Sequence, residues 1–174
     1  MVSGAVDTAT VASYTLTYSA VDAAGNTSTI ERTVIVYPAP IISAPANITL
    51  AAADATGLSG TSSAITEFLA GATASDGNTP VTVSNNAPAI FPLGATEVTF
   101  VANDRAGNPA SSVVRTITIT DQTKPTVTLT GASVIKVYHG GTYTELGATA
   151  SDNVDSAIDV SISGAVDTSL SLIH

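Results

Sequence analysis

Large apolar and small polar residues alternate along much of the chain. Tyr14-Thr15-Leu16-Thr17-Tyr18-Ser19-Ala20 keeps a period of two, and so does Thr116-Ile117-Thr118-Ile119-Thr120. That period gives a strand one buried face and one wet face. Threonine suits the wet face, being β-branched and able to meet water. Ala23-Ala24-Gly25-Asn26 and Arg105-Ala106-Gly107-Asn108 sit between such strands and read as hairpin turns, where Gly and Asn accept positive φ at little cost. Further strands are predicted near Ile48–Leu50, Phe68–Ala74, Val81–Ser84, Thr96–Asn103 and Val113–Thr120. No helical period persists. The stretch from Ala51 to Ala70 has room for a helical turn, but its Gly, Ser and Thr content argues for a loop leading into a strand. Many short strands with turn signals about every 8–12 residues predict an all-β sandwich.

Three internal matches organise the chain. Ser3-Gly4-Ala5-Val6-Asp7-Thr8 recurs as Ser163-Gly164-Ala165-Val166-Asp167-Thr168, at an offset of 160. Asp22-Ala23-Ala24-Gly25-Asn26 recurs as Asp104-Arg105-Ala106-Gly107-Asn108, at an offset of 82. Gly71-Ala72-Thr73-Ala74-Ser75-Asp76 recurs as Gly147-Ala148-Thr149-Ala150-Ser151-Asp152, at an offset of 76. The shorter offsets predict a unit of roughly 80 residues, and the long one spans two of them.

Composition sharpens this picture by exclusion. The 174 residues carry 14 acidic and 5 basic side chains, a net charge of −9. Nucleic-acid binding rests on Lys and Arg neutralising phosphates, so this balance argues against it, and against anionic membrane surfaces. No apolar run reaches the roughly 18 residues of a bilayer span, so no membrane insertion is expected. The start, Met1-Val2-Ser3-Gly4, has neither the basic nor the apolar region of an export signal, which is expected to lie elsewhere if the parent protein is secreted. Cysteine is absent, which excludes disulfides and thiolate metal sites. Aromatics make up 5% and Trp is missing, so the cores must be small and aliphatic, and a carbohydrate-stacking platform is not expected.

The middle of the chain resembles the hyalin-repeat family, an Ig-like extracellular module. The residues that carry this are Ala44-Pro45-Ala46-Asn47-Ile48-Thr49, Ala72-Thr73-Ala74-Ser75-Asp76, Phe91-Pro92-Leu93-Gly94-Ala95-Thr96-Glu97-Val98-Thr99-Phe100 and Asp104-Arg105-Ala106-Gly107-Asn108. The frequent cysteine pair of that family is missing here. The flanks are similar to bacterial Ig-like surface repeats, through Lys124-Pro125-Thr126-Val127-Thr128-Leu129-Thr130-Gly131 and Tyr143-Thr144-Glu145-Leu146-Gly147-Ala148-Thr149-Ala150-Ser151-Asp152-Asn153-Val154-Asp155. At the other end the same repeat is carried by Val6-Asp7-Thr8, Tyr14-Thr15-Leu16-Thr17-Tyr18 and Asp22-Ala23-Ala24-Gly25-Asn26. These resemblances imply an Ig-like antiparallel β-sandwich in tandem array. Residues 1–37 would form the C-terminal half of one repeat, 40–121 a complete hyalin-repeat-like sandwich, and 125–174 the N-terminal half of another. The joints would be Pro38-Ala39-Pro40 and Asp121-Gln122-Thr123-Lys124-Pro125. The chain is thus expected to be a stretch of a longer array, with neighbouring Ig-like domains of the same chain as its first partners. The hexapeptide shared by both ends adds a second expectation. In the isolated fragment the C-terminal half of one copy would be completed by the N-terminal half of another, giving head-to-tail self-association, the alternative being that both ends pack loosely or stay partly disordered.

Candidate chemistry is sparse. The only histidines are His139, in a turn, and the terminal His174, and no serine has an evident base. Without a nucleophile–base constellation no enzyme is expected. Metal is the sharper question, since calcium takes oxygen ligands. The loops after the second and sixth strands of an Ig-like sandwich lie at one end of it. Candidate calcium ligands at the domain junctions are therefore Asp152 and Asp155, near Asp121, and Asp76 and Asp104, with Asn78 alongside and Asp22 in the N-terminal half. Neither an EF-hand loop nor a Gly-Asp nonapeptide is present, and Asp22 and Asp104 also suit hairpin turns. Tyr18 and Phe100 occupy equivalent positions and are expected in cores, while Tyr14 is placed to hydrogen-bond back across a corner.

The function expected is that of a non-catalytic spacer in a large secreted or surface-anchored, adhesin-like bacterial protein, at an extracellular or cell-surface location. The alternative is an accessory binding module of a secreted hydrolase.

Overall fold

The computed structural model describes residues 1–78 and 80–169. In chain order its elements are β1 (Val2–Ser3), β2 (Ser13–Val21), β3 (Thr27–Ile35), β4 (Ile41–Ser43), β5 (Ile48–Ala51), β6 (Leu58–Ser59), α1 (Ser63–Ala70), β7 (Thr73–Ser75), β8 (Pro80–Val81), β9 (Val83–Asn85), β10 (Ile90–Phe91), β11 (Gly94–Ala102), β12 (Val113–Thr120), β13 (Thr126–Leu129) and β14 (Ala148–Ser151). They form sheets of order β1-β2-β3, β4-β7-β8, β5-β12-β11-β9, β6-β10 and β13-β14. The described residues divide into two compact units, one within residues 1–47, 63–87 and 97–116, the other within 48–62, 88–96 and 117–169.

In the first unit the hairpin β2–β3 is the longest ladder. Tyr14 faces Val34, Leu16 faces Arg32 and Tyr18 faces Ile30, so these six share one face. The other face pairs Thr15 with Thr33, Thr17 with Glu31 and Ser19 with Thr29. The expected alternation is present, but the apolar face is only partly covered: Ile30 is 71% exposed and Val2, which pairs with Tyr18, 56%. Tyr18 itself is half-buried, with the Arg32 guanidinium 5.5 Å from its ring centroid, whereas Phe100 is fully buried. The two equivalent aromatics therefore differ in environment: Phe100 has Phe68 at 6.2 Å, and Tyr18 has a cation across its face. Tyr14 does bond back, its Oη donating to the Thr10 carbonyl at 3.0 Å.

Helix α1 replaces the loop expected between Ala51 and Ala70, and the strand expected from Phe68 begins only at Thr73. Ile65, Phe68 and Leu69 explain it. At spacings of three and four they lie on one helical face, and Ile65 and Phe68 are buried. Gly71 ends the helix, its N–H donating to the Glu67 and Phe68 carbonyls. A Cβ there would lie 2.8 Å from Pro45 Cγ. The rest of this core is Ile42, Ala74, Val98, Phe100 and Ala102.

In the second unit β5 pairs with the end of β12 in parallel, Ile48 opposite Ile117 through Ala51 opposite Thr120. Ile117 and Ile119 are buried, and the intervening threonines half-buried, as the period of two predicts. Ladder β6–β10 sets Leu58 opposite Phe91, which is also fully buried. Gly57 makes this approach feasible: its φ is +111°, and a Cβ would lie 2.0 Å from the Phe91 carbonyl oxygen. Ladder β13–β14 pairs Val127 with Ala150 and Leu129 with Ala148. Val127 and Leu129 remain 60% and 57% exposed.

Candidate metal centre

Beyond β12 the chain enters Asp121-Gln122-Thr123-Lys124-Pro125, and beyond β14 it enters Asp152-Asn153-Val154-Asp155. Both segments belong to the second unit. The loop after β14 is tightened by Asp152, whose Oδ1 accepts from the N–H groups of Val154 at 2.8 Å and Asp155 at 3.3 Å. Asp121 Oδ1 accepts from Thr123 N–H at 3.0 Å. Asn153 ties the loop to the end of β5, donating from Nδ2 to the carbonyls of Ala52 and Ala53. Ala52 in turn donates its N–H to Thr120 O at 2.9 Å. Linker, strand end and loop are thus one hydrogen-bonded assembly.

This assembly gathers Asp121, Asp152 and Asp155, with one carboxylate oxygen of each within 4.8 Å of the others. Calcium–oxygen bonds are about 2.3–2.6 Å, so two oxygens on one ion lie no more than about 5 Å apart, and the spacing fits. Two oxygens of this assembly, Asp152 Oδ2 and Asn153 Oδ1, are buried and accept no hydrogen bond among the described residues. Buried acceptors of this kind are costly unless something meets them. The donor set is all oxygen and suits a hard cation.

Asp76 and Asp104 lie elsewhere, in the first unit, around a hollow of about 560 Å³ that Asn78, Asn103 and Arg105 also line. Asp104 commits both oxygens to its own turn. Oδ1 accepts from the N–H groups of Ala106 and Asn108, and Oδ2 from the Asn108 side chain at 2.7 Å. Asp22 repeats this geometry with Ala24 and Asn26. Gly25 and Gly107 hold φ of +88° and +90° at matching places. In both turns the asparagine side-chain bond, with backbone N–H bonds behind it, holds the aspartate pKa below its ordinary 3.8. Asp76 accepts from Asn78 N–H at 2.9 Å. His139 lines an open cavity of about 830 Å³ with Leu129, Ile135, Val137, Tyr138 and Val166. The expectation about His174 falls outside the described residues.

Sequence reasoning had the three joint aspartates but missed Asn153 as their anchor. Its partners lie about a hundred residues away, and no local pattern signals them.

No helix of the described residues is long and apolar enough to cross a membrane. Among curated proteins none matches the sequence. Two family models do. Residues 1–36 match the bacterial surface protein, Ig-like domain, and residues 39–119 match the HYR domain, the hyalin-repeat module. Every buried side chain of the described residues lies between Pro40 and Ile119, inside the second match. The chain is an all-β protein of the Ig-like sandwich class, similar over residues 39–119 to the HYR domain and over residues 1–36 to the Ig-like domain of bacterial surface proteins, which are modules of the surface or adhesion type.

Proposed function

We propose that the chain is a non-catalytic spacer in a large secreted or surface-anchored bacterial protein, holding other domains away from an anchor. The observation that carries this is the succession of two surface-module matches, separated by only Tyr37 and Pro38. Modules joined so closely, through a Pro-containing joint, transmit orientation with little slack. Few charges and few aromatics suit a part that must not stick. The test is the adjoining reading frame together with protease shaving of intact cells. Further repeats, an anchor and loss of the chain on shaving are expected. A neighbouring catalytic domain would favour an accessory binding module of a secreted hydrolase instead.

We also propose that calcium occupies the joint formed by Asp121, Asp152 and Asp155. The two unmet buried oxygens, Asp152 Oδ2 and Asn153 Oδ1, favour this reading. The ion would neutralise three carboxylates and tie the loop after β14 to the linker after β12. Isothermal titration with calcium chloride tests it: one site lost in Asp152→Ala supports the assignment, and no heat at millimolar calcium overturns it.

A further inference from the structure

The hexapeptide at 3–8 and its repeat at 163–168 adopt the same local geometry. Gly4 and Gly164 hold φ of +99° and +101°. Asp7 Oδ1 accepts from the N–H two residues on, at Ala9, and Asp167 Oδ1 does the same at Ser169. Their surroundings differ. The first copy lies against β2: Val2 faces Tyr18, Ser3 faces Thr17, and a Cβ on Gly4 would sit 2.6 Å from the Thr15 carbonyl oxygen. At Gly164 no described atom lies within 4 Å of that position. Ile162, which stands where Val2 stands, is 61% exposed, and so is Val166.

We propose that the chain associates head to tail, the β2–β3 hairpin of one copy adding to segment Ile158–Ser163 of another. The first copy of the repeat supplies the register. Ile162 lies opposite Tyr18 and Ser163 opposite Thr17, and Gly164 passes close to the Thr15 carbonyl as only glycine can. Upstream, Ile158, Asp159, Val160, Ser161 and Ile162 alternate apolar and polar. The period of two puts Ile158, Val160 and Ile162 on the face of Leu16, Tyr18 and Ile30, which is the partly uncovered one.

The contact is heterologous, so association continues beyond the dimer unless the rotation closes a ring.

Light scattering of the whole chain from micromolar to millimolar concentration reads it directly. The mass should rise with concentration to the dimer and beyond, and Ile162→Asp should move that rise at least about tenfold higher in concentration. A strictly monomeric chain at millimolar concentration overturns the proposal. The chain has no cysteine, which permits a second test on mixed single-cysteine chains. Thr17→Cys in one chain and Ser163→Cys in another should form a mixed disulfide on oxidation, well ahead of Thr29→Cys paired with Ser163→Cys. Equal yields from the two pairs overturn the proposed register.

Discussion

Asn153 donates its side-chain N–H to the carbonyl oxygen of Ala52 at 3.1 Å, across 101 positions of sequence. That bond and its neighbour to Ala53 hold the loop after β14 against the end of β5. Asn153→Ala removes both and leaves two carbonyls without their donor. The expected cost is about 1–2 kcal/mol, read as a lower urea midpoint with unchanged slope.

The same joint should respond to calcium. A ligand at a hundred times its dissociation constant stabilises the state it binds by about 2.7 kcal/mol. Calcium should therefore raise the melting temperature of the chain, and a chelator should reverse the rise. Asp155→Ala should remove the response, and Asp76→Ala, which lies at another hollow, should keep it.

Acid should destabilise the protein through its turns. The folded pKa values of Asp22 and Asp104 lie below 3.8, because the Asn26 and Asn108 side chains and nearby N–H groups favour the carboxylate. A depressed folded pKa means the unfolded chain takes up protons first as pH falls. The stabilisation is complete above the unfolded value and is lost as pH drops through the folded one. Melting temperature should fall below about pH 4. The double variant Asp22→Asn, Asp104→Asn should flatten that limb while lowering stability at pH 7.

Phe100→Ala is the severe core change. Its ring is fully buried and packs on Phe68. Truncation leaves a cavity and should cost about 3–5 kcal/mol by urea denaturation. Val101→Ala, next in sequence but 45% exposed, should cost far less.

Local chemistry is what the sequence made legible. Strand β12 follows from Thr-Ile alternation, and the two Asp-x-x-Gly-Asn turns follow from residues that accept positive φ. The Asp121, Asp152 and Asp155 cluster was readable because each residue sits next to a strand end that the pattern had already placed. Helix α1 was not, because its three apolar residues are set among Ser, Thr and Gly, and composition outweighed spacing. The parallel pairing of β5 with β12 was also hidden, since strand patterns carry no record of a partner about seventy residues away. Tyr18 shows the same limit: its period was right, and its burial depended on what covers the sheet.

That parallel pairing has a mechanical consequence. Tension along the backbone reaches β5 at its first residue, Ile48, and leaves β12 at its last, Thr120. On strands running the same way, such a pull drags the two in opposite senses along their length. The rungs from Ile48–Ile117 to Ala51–Thr120 are then loaded in shear and must fail together, whereas a hairpin pulled at its open end unzips one rung at a time. A force-resistant clamp sits where β5 and the end of β12 meet.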